Sequence, residues 1–117
     1  MVNNDFRIIG IATTDFTEIT SSTFVQYVVI VEVEKMGSRV GNHFKIPVVF
    51  YSTNKAVDFK AELKGKNVCI VGYCDSFNKD NYLQIKLVGQ NVYLLDTNSI
   101  KDIQDNDYQT ITLPNYN

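Results

Sequence analysis

The sequence predicts a mainly β protein, a five-stranded Greek-key barrel with one helix between strands three and four. Three observations predict it. Runs rich in Val, Ile, Phe and Tyr recur at 6–12, 24–35, 44–51, 67–74 and 82–88. Polar or glycine-bearing links separate those runs. One segment carries a helical apolar spacing, and it falls between the third and fourth runs. At 117 residues the chain fits one domain with a single modest core.

The first run, FRIIGIA (6–12), holds Gly10, and a glycine inside a strand often marks a bulge or bend. TTDFTEITSST (13–23) is polar and reads as a turn-bearing link. FVQYVVIVEVEK (24–35) is a long strand, and Val31 and Val33 alternate with Glu32 and Glu34 in a half-exposed pattern. MGSRVGNH (36–43) reads as a hairpin connection with Arg39 near its tip. In FKIPVVFY (44–51), Pro47 cannot donate to a ladder, so it marks an edge, a bulge or a gap in pairing.

STNKAVDFKAELKGK (52–66) is the predicted helix. Ser52, Thr53 or Asn54 can cap it by accepting from its first free N–H groups. Ala56, Phe59 and Leu63 recur at i, i+3 and i+7, and Gly65 stands where a left-handed residue ends a helix. NVCIVGYC (67–74) is the fourth strand, DSFNKDN (75–81) a polar loop, and YLQIKLV (82–88) the fifth strand. Gly89 permits a bend before NVYLL extends that strand. The barrel domain is thus expected over 1–96. Residues 97–117 are either a polar, acidic C-terminal tail or contribute one short extra strand, YQTITL.

The net charge is −2. Residues 1–95 carry 10 bases and 9 acids, whereas Lys101 is the single base after them against Asp96, Asp102, Asp105 and Asp107. The acidity therefore sits in the C-terminal segment, and a near-neutral body can still hold a basic groove. No apolar run reaches the ~18–20 residues of a membrane span, and MVNNDFR lacks the basic and apolar regions of a secretory signal. A cytoplasmic location is the expectation. Cys69 and Cys74, five apart on one strand, point to opposite faces, which disfavours a mutual disulfide.

No enzymatic activity and no cofactor are expected. The chain has no Ser/His/Asp set, no Cys with a nearby base and no phosphate-cradling G-x-x-x-x-G-K-[ST]. Asp102, Asp105 and Asp107 lack the glycine and closing Glu of a calcium loop, so no metal site is expected.

FRIIGIA, TFVQYVVIVEV, HFKIPVVFY, NKAVDFKAELKGKNVCIVGYC and YLQIKLVGQNVYLLD, in this order over about residues 6–96, resemble the bacterial single-stranded DNA-binding protein family. The most specific piece is the Leu63-Lys64-Gly65 turn followed by Ile70-Val71-Gly72. The resemblance implies the oligonucleotide/oligosaccharide-binding (OB) fold, in which strands two and three and the 1–2 and 4–5 loops hold ligands. It also implies a homo-oligomer, dimer or tetramer, and base-stacking positions at Phe44 and Phe50. The chain departs from the family in having no Trp, a short loop between strands two and three, and the ending LPNYN in place of clustered Asp and Pro-Phe. Recruitment of replication proteins by the tail is therefore not carried over. A member encoded by a phage or plasmid would show such departures.

Sequence-tolerant binding of single strands needs Lys and Arg that track phosphates and aromatic faces on which bases stack. The candidate bases are Arg7, Lys35, Arg39, Lys45, Lys79 and Lys86; the candidate aromatics are Phe44, Phe50, Tyr51, Phe77 and Tyr82. Strand parity sets two readings of 44–51 against each other. Hydrophobicity puts Phe44, Ile46, Val48 and Phe50 inside, leaving Lys45 and Tyr51 exposed. The resemblance puts Phe44 and Phe50 outside. Tyr27 and Tyr73 read as core or subunit interface, and Lys55, Lys60, Lys64 and Lys66 as a solvated face. Phe77 and Tyr82 have a bland alternative, a small cluster beneath the 75–81 loop.

The leading functional expectation is non-enzymatic, sequence-tolerant binding of single-stranded DNA in replication, recombination or plasmid or phage DNA transfer. The alternative is an OB-fold protein-interaction module, a replication or primosome accessory with weak DNA binding. An oligosaccharide-binding barrel ranks last, lacking both secretion and tryptophan.

Overall fold

The computed structural model describes residues 3–20, 24–34 and 42–95. The strands are β1 (Phe6–Ala12), β2 (Thr17–Thr20), β3 (Val25–Glu34), β4 (His43–Tyr51), β5 (Asn67–Lys79) and β6 (Tyr82–Leu95). They form one sheet in the order β1-β5-β6-β4-β3-β2, and β1 also pairs with β3, which closes the sheet into a barrel. The β4–β6 pair is parallel and every other pair antiparallel. The circuit β1-β3-β4-β6-β5 is the predicted Greek-key barrel. The sixth strand, β2, lies in the link read as turn-bearing and adds to the N-terminal half of β3.

The pleat sorts side chains into two sets. Tyr27, Val29, Val31 and Val33 of β3 face inward with Ile46, Val48 and Phe50 of β4, Phe6 and Ile8 of β1, Val68 and Ile70 of β5, and Leu87 and Val92 of β6. Val29, Val31, Val48, Phe50, Val68 and Ile70 are fully buried. Each contributes roughly 1.5–3 kcal/mol by leaving water. β1 passes from β5 to β3 around Gly10, where it pairs with Val68 before Ile11 and Ala12 reach Glu32 and Val31. Gly10 lies against β3, where a Cβ would run into the Glu32 carbonyl. Pro47 lies just outside the β4–β6 seam at Val48–Val49, in the gap in pairing that its missing N–H predicts.

The predicted helix does not form: residues 52–66 run as successive turns across one mouth of the barrel. Two physical reasons account for it. The Asp58 side chain takes an N–H group that a helix would use, its Oδ1 accepting from Lys60 N at 3.0 Å, whereas Asn54 Oδ1 accepts from Ala56 N at 2.9 Å as a cap would. And a helix of about ten residues is marginal by itself in water, so tertiary packing decides. Packing selects period two: Val57, Phe59, Ala61 and Leu63 turn toward the core while Asp58, Lys60 and Glu62 are exposed. Gly65 does adopt the left-handed region (φ 82°), but it ends a turn in which its N–H donates to the Ala12 carbonyl at 2.8 Å.

Asp15, between β1 and β2, fastens this cap. Its Oδ1 accepts from Leu63 N at 2.8 Å and Lys64 N at 2.9 Å. The N–H groups of Lys64 and Leu63 hold the carboxyl below its ordinary value; desolvation opposes them, and the charges of Lys64 and Lys66 add to them.

The predicted 75–81 loop is also corrected. β5 and β6 continue as a hairpin to a two-residue turn at Asp80–Asn81, with φ of 53° and 67°. Positive φ at both central residues is the type I′ geometry that Asp and Asn tolerate and that matches strand twist. The aromatic ring under the barrel mouth is Phe59, stacked on Tyr27 at 4.2 Å and edge-on to Phe16 at 5.2 Å. Tyr27 thus belongs to the core. Cys69 and Cys74 are both free thiols. Lys35, Arg39 and the 97–117 segment lie outside the described residues.

Candidate nucleic-acid interface

The outward set of the pleat gathers most of the predicted site. On β4 it presents Lys45, Pro47, Val49 and Tyr51, opposite Glu32, Ile30, Val28 and Gln26 of β3. On the hairpin it presents Tyr73, Asp75, Phe77 and Lys79 of β5 opposite Val88, Lys86, Gln84 and Tyr82 of β6. The parallel seam, Val48 to Leu87 and Val49 to Val88, brings the end of β4 beside the root of the hairpin. One face therefore carries Lys45, Tyr51, Phe77, Lys79, Tyr82 and Lys86.

Lys86 is the centre of this face. Its Nζ lies 5.2 Å from the centre of the Tyr51 ring and 5.8 Å from that of Phe77. Both are within cation–π range, so the ammonium stands between two aromatic faces. Asp75 opposes Lys86 across the hairpin. Tyr82, near the hairpin tip, is 72 % exposed.

Phe24 extends the row and was not foreseen. It is 51 % exposed, and its ring stands edge-on to Tyr51 at 6.3 Å and 79°. The Ser52 N–H donates to the Val25 carbonyl at 3.2 Å, which ties the start of β3 to the end of β4. Only that register places Phe24 beside Tyr51; in sequence it is simply the first aromatic of a strand.

Phe50 is corrected. It is fully buried, edge-on to Phe16 at 5.3 Å, and offers no face to a base. The hydrophobic reading of 44–51 holds because Phe50 shares the inward side with Val48, and the ring fills space above Gly89. Phe44 shares that parity but sits at the start of β4 opposite Val33 and remains 45 % exposed, away from the Tyr51 end. Arg7 faces outward on β1, opposite Val71. β3 on one side and β5 on the other separate β1 from β4 and β6, so Arg7 stands apart from the Tyr51–Lys86 cluster.

Among the described residues no group of three or more His, Cys, Asp or Glu is placed to hold a metal. Among the same residues no helix is long and apolar enough to cross a membrane.

No family model and no curated protein sequence matches the chain. Solved structures do. The N-terminal domain of PriB from Thermoanaerobacter tencongensis, a dimeric structure, superposes with a TM-score of 0.57 at 14% identity, covering 81% of this chain and 99% of that one. The mitochondrial single-stranded DNA-binding protein Rim1 from S. cerevisiae gives 0.58 at 17% identity, covering 82% of this chain and 97% of that one. The chain is an OB-fold protein. Likeness over nearly the whole of those chains, at so low an identity, is a likeness of fold.

Proposed function

We propose that this OB-fold chain binds single-stranded DNA with little sequence preference, on the outward face of β4, β5 and β6. The observation that carries the reading is the contiguous row Tyr51–Lys86–Phe77, an ammonium held between two aromatic faces. Bases stack on aromatic rings whatever their identity, and the cation meets the phosphates between them. Lys45, Lys79 and Tyr82 extend the row along the same face. The fold likeness to Rim1, a single-stranded DNA-binding protein, supports the same reading. The activity is binding rather than catalysis, and its use is to shield unpaired strands in replication, recombination or DNA transfer.

The working form is a homo-oligomer. Leu83 (72 %) and Ile85 (73 %) are exposed on the hairpin face opposite Lys86, a face with no charged side chain over Cys74, Ser76, Asn78, Leu83 and Ile85. An uncharged apolar patch suits a second copy of itself, because a two-fold interface sets the same surface on both sides. Light scattering on the eluted protein tests it; a monomer at micromolar concentration rejects it.

The test of function is fluorescence anisotropy of a labelled dT strand of ~35 nucleotides, against a duplex of equal length, at several salt concentrations. Binding of the single strand alone, with log K falling by about 0.7 per phosphate contact against log[salt], supports the proposal. No binding at micromolar protein and low salt overturns it in favour of a protein-interaction module.

A further inference from the structure

We propose that the hollow between Phe24 and Tyr51 is a pocket for one nucleobase, set at the end of the single-strand groove; the inference rests on that groove. The hollow measures about 350 Å³ and is lined by Phe24, Val25, Tyr51, Ser52 and Thr53. Its two rings meet at 79°, with centres 6.3 Å apart, so they form a corner. A planar base laid flat on one ring presents its edge to the other. Stacked and edge-to-face contacts are both favourable arrangements of π systems.

The chemistry of the lining selects the ligand. No charged side chain contributes to it, so the corner takes a neutral ring and not a phosphate. Ser52 and Thr53 are exposed at its rim, and each hydroxyl both donates and accepts, as base edges do. The Ser52 N–H bond to the Val25 carbonyl holds the two walls together across β3 and β4. Lys86 lies over the same Tyr51 ring, in position to meet the phosphate attached to a base in the corner. The row on β4–β6 stacks any base that slides over it; the corner holds one base in a defined orientation.

Thymidine separates base recognition from phosphate binding, because the nucleoside is uncharged. Amide NMR spectra of the whole chain, titrated with thymidine to millimolar concentration, should show saturable shifts at Phe24, Val25, Tyr51, Ser52 and Thr53. Inorganic phosphate should leave those amides in place. Phe24→Leu keeps an apolar side chain at the start of β3 but removes the ring. It should abolish the thymidine shifts and weaken binding of the dT strand about fivefold or more. Absence of the shifts while the dT strand still binds overturns the pocket and leaves the groove. So do shifts that survive Phe24→Leu, which would place the base elsewhere. Failure of the wild-type chain to bind the dT strand overturns the groove and the pocket with it.

Discussion

Lys86 and Tyr51 meet across the parallel seam of β4 and β6, the ammonium 5.2 Å from the centre of the ring. Nothing in their sequence separation suggests it. Val49 pairs with Val88 in that seam, so Tyr51, two residues past Val49, and Lys86, two before Val88, share one face, and the long lysine side chain reaches the ring diagonally. Four expectations follow from this arrangement and from the cap that closes the barrel.

Lys86→Ala should weaken single-strand binding and lower the magnitude of the salt slope by about 0.7, the loss of one phosphate contact on a single strand. Its stability should change little, since the group lies on the surface. Titrations of both proteins at matched salt concentrations check it; an unchanged slope places the phosphates elsewhere.

Tyr51 and Phe50, adjacent in sequence, should behave in opposite ways. Tyr51→Ala should cost about 1–3 kcal/mol of strand binding with the fold retained. Phe50→Ala should cost about 3–5 kcal/mol of stability, because it empties the core above Gly89. Urea unfolding alongside strand titration tells the two apart. Equal losses of stability at both positions would contradict the assigned faces.

Gly89→Ala should destabilise the barrel. A Cβ there would run into the Phe50 ring, which is boxed in by Phe16 and Phe59. Overpacking of this kind typically costs about 1–3 kcal/mol. A midpoint of urea unfolding equal to that of the parent would show that the ring can move aside.

Asp15 makes the cap sensitive to acid. Its carboxyl is held below the ordinary 3.8 by the N–H groups of Lys64 and Leu63. A depressed folded value means that the anion stabilises the fold above pH 3.8 and that this contribution is lost as pH falls through the lower folded value. Asp15→Asn should therefore lose part of the drop in stability below pH 4, as followed by urea midpoints between neutral and acid pH. The same drop in the variant would assign it to other carboxylates.

Much of the barrel was legible in the sequence. The β-rich runs mark β1, β3, β4 and the inner halves of β5 and β6, because half-buried strands need alternating apolar side chains and those are visible one residue at a time. Alternation offered two readings of 44–51, and the structure chose between them: Val48 and Phe50 are interior as hydrophobicity demands, and Tyr51 and Lys45 are left outside. The resemblance that placed Phe50 against DNA was misleading at that residue. Two signals were present but outweighed. Val57, Phe59, Ala61 and Leu63 alternate strictly with Asp58, Lys60 and Glu62, a period of two beneath the helical spacing of Ala56, Phe59 and Leu63. Asp80–Asn81, flanked by Lys79 and Tyr82, is a hairpin turn pair inside what reads as a polar loop.

The sequence by itself determined which residues alternate and which aromatic and basic residues were candidates to meet a single strand. Tertiary structure alone decided three things. It chose an irregular cap over a helix, since Asp15, forty-eight residues before Leu63, claims the cap's N–H groups. It set Lys86 between Tyr51 and Phe77, since that needs a parallel seam and a hairpin together. And it brought Phe24 against Tyr51, since register between β3 and β4 is a property of two strands at once and is written in neither of them.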